Sequence, residues 1–175
     1  MSYKILKTEE IYRGKIFNVR RSQLNLKNGR NTWWEMVAHN GAAVILPLLS
    51  RNKVILVYQY RYPINKSIWE LPAGRLERGE LPLTCARREL QEEIGCTARR
   101  FKKMITFYST PGFTSEKLHI FAAKGLTPSY ACPDDDEKIK TRVFTRPEIV
   151  KLINQNKIID AKTLIGLMLW LRNQI

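Results

Sequence analysis

The sequence predicts an α+β domain in which helices pack on a mixed sheet. Three observations carry that expectation. The predicted elements run β-rich, helix, β-rich, then two helices. Two apolar runs, AAVILPLL (42–49) and KVILVYQY (53–60), stand only three residues apart and read as paired inner strands. Between Glu80 and Ile94, apolar residues recur at 83, 86, 90 and 94, the stripe of a helix with one buried face.

Taken in order, residues 3–38 read as strands, with KIFNVRRSQLNL and NTWWEMVAH flanking the turn KNGR. Asn28 and Gly29 both tolerate positive φ, which suits a tight hairpin. SIWELPAG leads into a Gly- and Pro-punctuated loop that ends at Gly79, and Gly95 is a natural stop for the helix that follows. Glu80 is placed at that helix's start, where its charge complements the N-terminal dipole. FKKMITFYS and KLHIFAAKGL are two further strands joined by TPGFTSE, and an acidic turn, PDDDE, precedes the strand KIKTRVFT. Pro147 opens one helix and Asp160 caps the last.

With 175 residues and 26% charged side chains, the composition is that of one folded globular domain with a real core. Thirty Lys and Arg against sixteen Asp and Glu leave a formal charge of +14, which points to an anionic partner without choosing one. Cys85, Cys96 and Cys132 form no CxxC pair, and the only histidines are His39 and His119. A disulfide framework and a zinc site are therefore not expected, and a reducing cytoplasm suits the chain. LIGLMLWL (164–171) is too short to span a bilayer, and the start has no apolar signal region, so no membrane role is expected.

Against the basic background, Glu89, Glu92 and Glu93 crowd into five residues of the helix RELQEEIG (88–95). At about 100° per residue they share one face. Like charges at such spacings weaken an isolated helix by a few tenths of a kcal/mol per pair, roughly. One reading is a solvated acidic face. The other is a site for a hard divalent cation, which takes oxygen ligands and fills its shell with water and phosphate. Arg88 is placed to hold one of the carboxylates.

The spacing around the cluster favours the cation. Gly74, five residues, Glu80, seven residues, then Arg88-Glu89-Leu90-Gln91-Glu92-Glu93-Ile94-Gly95 closely resembles the Nudix box, G-x5-E-x7-R-E-U-x-E-E-x-G-U, with U a bulky apolar residue. Cys96 departs from the last position, where only slightly weaker packing is expected. The resemblance implies a Nudix-type α/β/α sandwich around a mixed sheet, with an N-terminal antiparallel β-hairpin appendage. It also implies Mg²⁺- or Mn²⁺-dependent hydrolysis of a nucleoside diphosphate linked to another moiety. Carried over by position, Glu89 and Glu93 would be direct metal ligands. Glu92 would be a ligand or the holder of a coordinated water, with Arg88 beside it, and the Ala73 carbonyl would complete one shell.

Outside the box, QYRYPINKSIWELPAG resembles the ADP-ribose pyrophosphatase branch, as does Pro111, fifteen residues beyond Cys96. The resemblance runs from YRGKIFNV to KIIDAKTL and is weakest at 124–136. It implies that Arg61 binds the diphosphate or the terminal ribose, and that Pro111 is among the substrate-binding residues. Trp34 and Glu35 would reach a partner subunit's nucleotide, Trp34 by stacking on adenine and Glu35 by contacting the base or diphosphate. Glu137, in DDDEKIK, would be the general base, with Glu116 as the alternative. The implied organisation is an N-terminal β subdomain (1–40) that forms a homodimer, and a catalytic domain (41–175) with the C-terminal helices. The implied substrate is a nucleoside diphosphate sugar, ADP-ribose foremost and GDP-mannose as the alternative. A non-catalytic ADP-ribose-binding module is the other reading, and nucleic acid is not expected as a partner.

Overall fold

Why the strand after Gly41 reads as unbroken apolar sequence is clear once its neighbours are placed. The computed structural model describes residues 3–130 and 139–172, and these fall into two compact units, one within 1–41 and 108–117 and the other within 42–107 and 118–175.

In the second unit, β4 (Ala42–Ser50) lies inside a seven-stranded mixed sheet. It runs antiparallel to β5 (Lys53–Arg61) and parallel to β9 (Lys117–Pro128). β10 (Lys140–Thr145) pairs with β5, and β8 (Cys96–Tyr108) lies beyond β9. Two short strands complete the sheet: β6 (Lys66–Glu70) on β5 and β7 (Ala73–Arg75) on β4. Both faces of β4 are covered, so its residues show no alternation of apolar and polar. Ala43 and Ile45 pack with Cys85, Ala86 and Leu90 of α1 (Pro82–Ile94). Val44, Leu46 and Leu48 share the other core with Ile149 of α2 (Arg146–Asn154) and with Leu167 and Trp170 of α3 (Ala161–Leu171). The layering is the α/β/α sandwich that the sequence leads one to expect. Complete burial of a side chain such as Leu90 is worth about 2 kcal/mol.

The helix ends follow local chemistry, with one correction. α1 begins at Pro82, after Leu81, so Glu80 stands in the preceding turn and not in the helix. Proline is tolerated at that first position because its missing N–H has no intrahelical partner there. Gly95 ends α1 in the left-handed conformation, φ 68°, with its N–H bonded to the Gln91 carbonyl. α2 carries a capping box: Thr145 N–H donates to Glu148 Oε2 at 2.8 Å, and the Thr145 hydroxyl accepts from Glu148 N–H. Asp160 caps α3 by accepting from Thr163 N–H at 3.0 Å. The segment 66–75, to which the sequence pattern alone assigns no strand, holds β6 and β7 because neighbouring strands supply their hydrogen bonds.

The first unit is an antiparallel sheet of β1 (Lys4–Arg13), β2 (Asn18–Asn25) and β3 (Asn31–Ala38), with Gly29 in the β2–β3 turn at φ 80°. The segment 109–116 fastens onto the end of β3. Val37 N–H donates to the Phe113 carbonyl at 2.8 Å, and Ser115 N–H donates to the Val37 carbonyl at 3.1 Å. Ile5, Ile11, Tyr12 and Ile16 are exposed on this unit.

Candidate active site

The glutamates of α1 do not form a solvated face. Glu89 is 8% exposed and Glu93 is 7% exposed, on the side of the helix that meets β7 and the core, while Glu92 is half-buried. Two backbone groups of the ELPAG segment receive them. The Glu93 carboxylate accepts the Ala73 N–H at 3.1 Å. The Glu89 carboxylate lies so close to Gly74 that a Cβ there would sit 1.6 Å from Oε1. The glycine is needed for the space its missing side chain leaves to Glu89.

Arg88 makes this concentration of charge tolerable. Its Nη1 donates to Glu89 at 2.6 Å and to Glu92 at 2.9 Å, while Nε and Nη2 both reach Glu80 at 3.1 Å. Nη2 also reaches the Arg75 carbonyl at 3.3 Å. One guanidinium thus ties three carboxylates to the backbone of β7. The hydrogen bonds to Glu80, with the field of Glu89, keep Arg88 charged far beyond its ordinary range. The reciprocal bond from Arg88 holds Glu80 below the usual carboxylate value. Beside them the Cys85 thiol is pushed up to about 12, by burial first and then by Glu89 and Glu80, so it stays protonated and inert.

A second ionic group stands behind the same segment. Glu70, 1% exposed at the end of β6, accepts from Arg61 Nε at 2.7 Å and from Arg61 Nη2 at 2.8 Å. Lys162 bonds the Oε2 of Glu70 and lies 3.0 Å from Asp160 Oδ2. Burial works against the Glu70 charge, but Arg61 and Lys162 outweigh it and hold the carboxyl below its ordinary value. The Thr163 hydroxyl donates to Asp160 and accepts the Leu71 N–H at 2.8 Å. Segment 70–74 is therefore gripped by α3 at one end and by α1 at the other.

Of the residues singled out in the sequence, Ala73, Arg88, Glu89, Glu92 and Glu93 come together on α1 and β7. Arg61 lies in the same unit, with Glu93 among the charges that act on it. Trp34, Glu35, Pro111 and Glu116 belong to the first unit. Trp34 is 49% exposed on β3 and meets Tyr3 edge-on at 5.1 Å, and Glu35 is exposed beside it. Glu116 Oε1 stands 3.8 Å from His39 Nδ1. Glu137 lies outside the described residues. Sequence reasoning missed Glu70 and Lys162. A carboxylate inside the apolar stretch SIWELPA was a signal for Glu70, since a buried charge demands a partner. Nothing comparable marked Lys162.

The donor set suits a hard divalent cation: carboxylate oxygens and a backbone carbonyl, with a glycine where a side chain would obstruct them. Among the described residues no three ligating side chains already converge on one point. Glu89 and Glu92 are drawn to Arg88, and Glu93 is drawn to the Ala73 N–H.

The sequence model of the NUDIX domain matches residues 37–165. A protein of Bacillus methanolicus named "Methanol dehydrogenase activator" is 38% identical over 165 residues, covering 93% of this chain and 89% of its own length. An "ADP-ribose pyrophosphatase" of Bacillus subtilis is 37% identical over 162 residues, covering 91% and 88%. The crystal structure of an "ADP compounds hydrolase" superposes with a TM-score of 0.87 at 24% identity, over 99% of this chain and 96% of the other, a likeness of fold.

Proposed function

Since the chain belongs to the NUDIX domain family, we propose that it hydrolyses the diphosphate bond of nucleoside diphosphate sugars, with ADP-ribose giving AMP and ribose 5-phosphate. The observation that carries this reading is the seating of Glu89 at Gly74 and Glu93 at Ala73, with Arg88 binding the flanking carboxylates. Relatives named ADP-ribose pyrophosphatase, one of them 37% identical, support the substrate class.

In this reading Glu89, Glu93, Glu92 and the Ala73 carbonyl would hold Mg²⁺ or Mn²⁺. When bound, the cation neutralises phosphate charge and acidifies water. Arg88 restrains the carboxylates that are not yet engaged, and Gly74 keeps Glu89 within reach of the segment. Arg61 turns one edge to Glu70 and directs its remaining charge at the diphosphate. Water attacks one phosphorus, the bridging P–O bond breaks, and the proton passes to Glu137 as general base. Pro111 is among the substrate-binding residues, and Glu116 is the alternative base. Trp34 and Glu35 contribute the base contacts from a second copy. Exposed Ile5, Ile11, Tyr12 and Ile16 support a homodimer through the N-terminal strands, since such side chains gain by being covered. The cysteine usage supports a cytoplasmic location.

The test is a panel of nucleotide sugars, ADP-ribose and GDP-mannose included, hydrolysed with Mg²⁺ or Mn²⁺ in ¹⁸O-labelled water. ADP-ribose should turn over fastest. Faster hydrolysis of GDP-mannose would overturn the base assignment, and tight ADP-ribose binding without turnover of any sugar would make the chain a binding module. Glu93→Gln should lower turnover by about 10³-fold or more with the fold intact.

A further inference from the structure

We infer that Lys162 is a positioning residue for this reaction: through Glu70 it fixes the Arg61 guanidinium in the orientation that receives the substrate's diphosphate. The inference rests on the reading above and deepens it, since nothing in the glutamate cluster accounts for a lysine on α3.

The Glu70 carboxylate is almost wholly removed from water. An isolated charge in such a place is untenable and must be paired. Arg61 alone would satisfy it, because the bidentate geometry engages both oxygens at 2.7 and 2.8 Å. A second cation is nevertheless present on Oε2. Lys162 is itself braced by Asp160 at 3.0 Å, and Asp160 is pinned as the α3 cap by the Thr163 N–H and hydroxyl. The carboxylate plane of Glu70 is therefore set from the helix side, and Arg61 docks on a plane that cannot rotate.

The charges of the group act in the same direction. Arg61 and Lys162 balance Glu70 and Asp160. Without Lys162 the group carries a net −1, and Asp160, which already acts on Arg61, would compete with Glu70 for that guanidinium. Arg61 would be drawn toward α3, and the added negative charge would repel an anionic substrate at a site already rich in glutamate. The effect belongs to substrate binding, not to the bond-breaking step.

Lys162→Met and Lys162→Arg should be made in the wild-type and Arg61→Ala backgrounds, with ADP-ribose kinetics and the solvent-exchange rate of the Arg61 Nε–H by NMR as readouts. Lys162→Met should raise KM about tenfold with kcat within about threefold, and Lys162→Arg should restore most of the loss. In the Arg61→Ala background Lys162→Met should add little, because a residue acting through another is non-additive with it. The Arg61 Nε–H should exchange faster in Lys162→Met. A KM that rises by the same factor without Arg61, or an Arg61 Nε–H that exchanges unchanged, would overturn the inference. The NMR arm needs no turnover, so a wild-type protein inactive on every sugar would refute the proposed reaction and still leave the Lys162–Arg61 link to be judged.

Discussion

The backbone of Gly74 and the carboxylate of Glu89 occupy space that a single methyl group would fill: an added Cβ would lie 1.6 Å from Oε1 and 1.8 Å from Cδ. The obstructing atoms are the end of a side chain, so they can swing away at modest cost. Gly74→Ala should therefore shift the melting temperature by only a few degrees while lowering kcat about 100-fold, since misplacing a reacting group by about 1 Å has that effect. Thermal melts and steady-state kinetics on the same preparation check the pair. A large loss of stability with full specific activity would contradict the proposed role of Glu89.

Arg88 holds three carboxylates at once. Replacing it by Met leaves those charges facing one another, half-sheltered from water. Arg88→Met should cost about 2 kcal/mol in metal-free buffer. Millimolar Mg²⁺ should return part of that loss, because a ligand bound only by the folded state stabilises it. Denaturant titrations with and without Mg²⁺ measure both quantities.

Acid should expose the Glu70 group. Glu70 and Glu80 both have folded-state pKa values below the ordinary 4.5. The unfolded chain therefore takes up their protons first. Their stabilisation is present above about pH 4.5 and is lost as the pH falls through the lower folded values. The melting temperature should drop steeply below pH 4.5. Glu70→Gln should be less stable by about 3 kcal/mol at pH 7 and show a shallower acid limb. A limb of unchanged steepness would mean that other carboxylates dominate.

The general base is tested by two amide substitutions. Glu137→Gln should lower kcat about 100-fold with little change in KM, the ordinary size of a lost acid–base contribution. Glu116→Gln should have a small effect. The reverse pattern would transfer the role to the loop that fastens onto β3.

The helix of the glutamate cluster was legible because its stripe at 83, 86, 90 and 94 has one solution, and Gly95 marks its end. Periodicity also put Glu89 and Glu93 on one face. It could not say that this face is buried, because their acceptance depends on Gly74 and the Ala73 N–H in a distant segment. The apolar stripe does not fix the first residue of the helix, and Glu80 suits an N-terminus by charge, but Pro82 is the stronger signal for the true start. β6 and β7 escaped notice for the same kind of reason. Their strand character comes from partners, not from local propensity. Lys162 was illegible because its partner Glu70 lies 92 residues away in the chain.

That separation has a consequence for biosynthesis. The Leu71 N–H finds its acceptor in Thr163, again 92 residues later, and Leu71 itself packs where a side chain on Gly166 would collide with it. A ribosome delivering about 5–20 residues per second would complete the glutamate helix several seconds before the element that locks the segment in front of it. Nascent chains arrested before residue 160 should hold α1 without a settled ELPAG backbone, and catalytic competence should arrive only with α3.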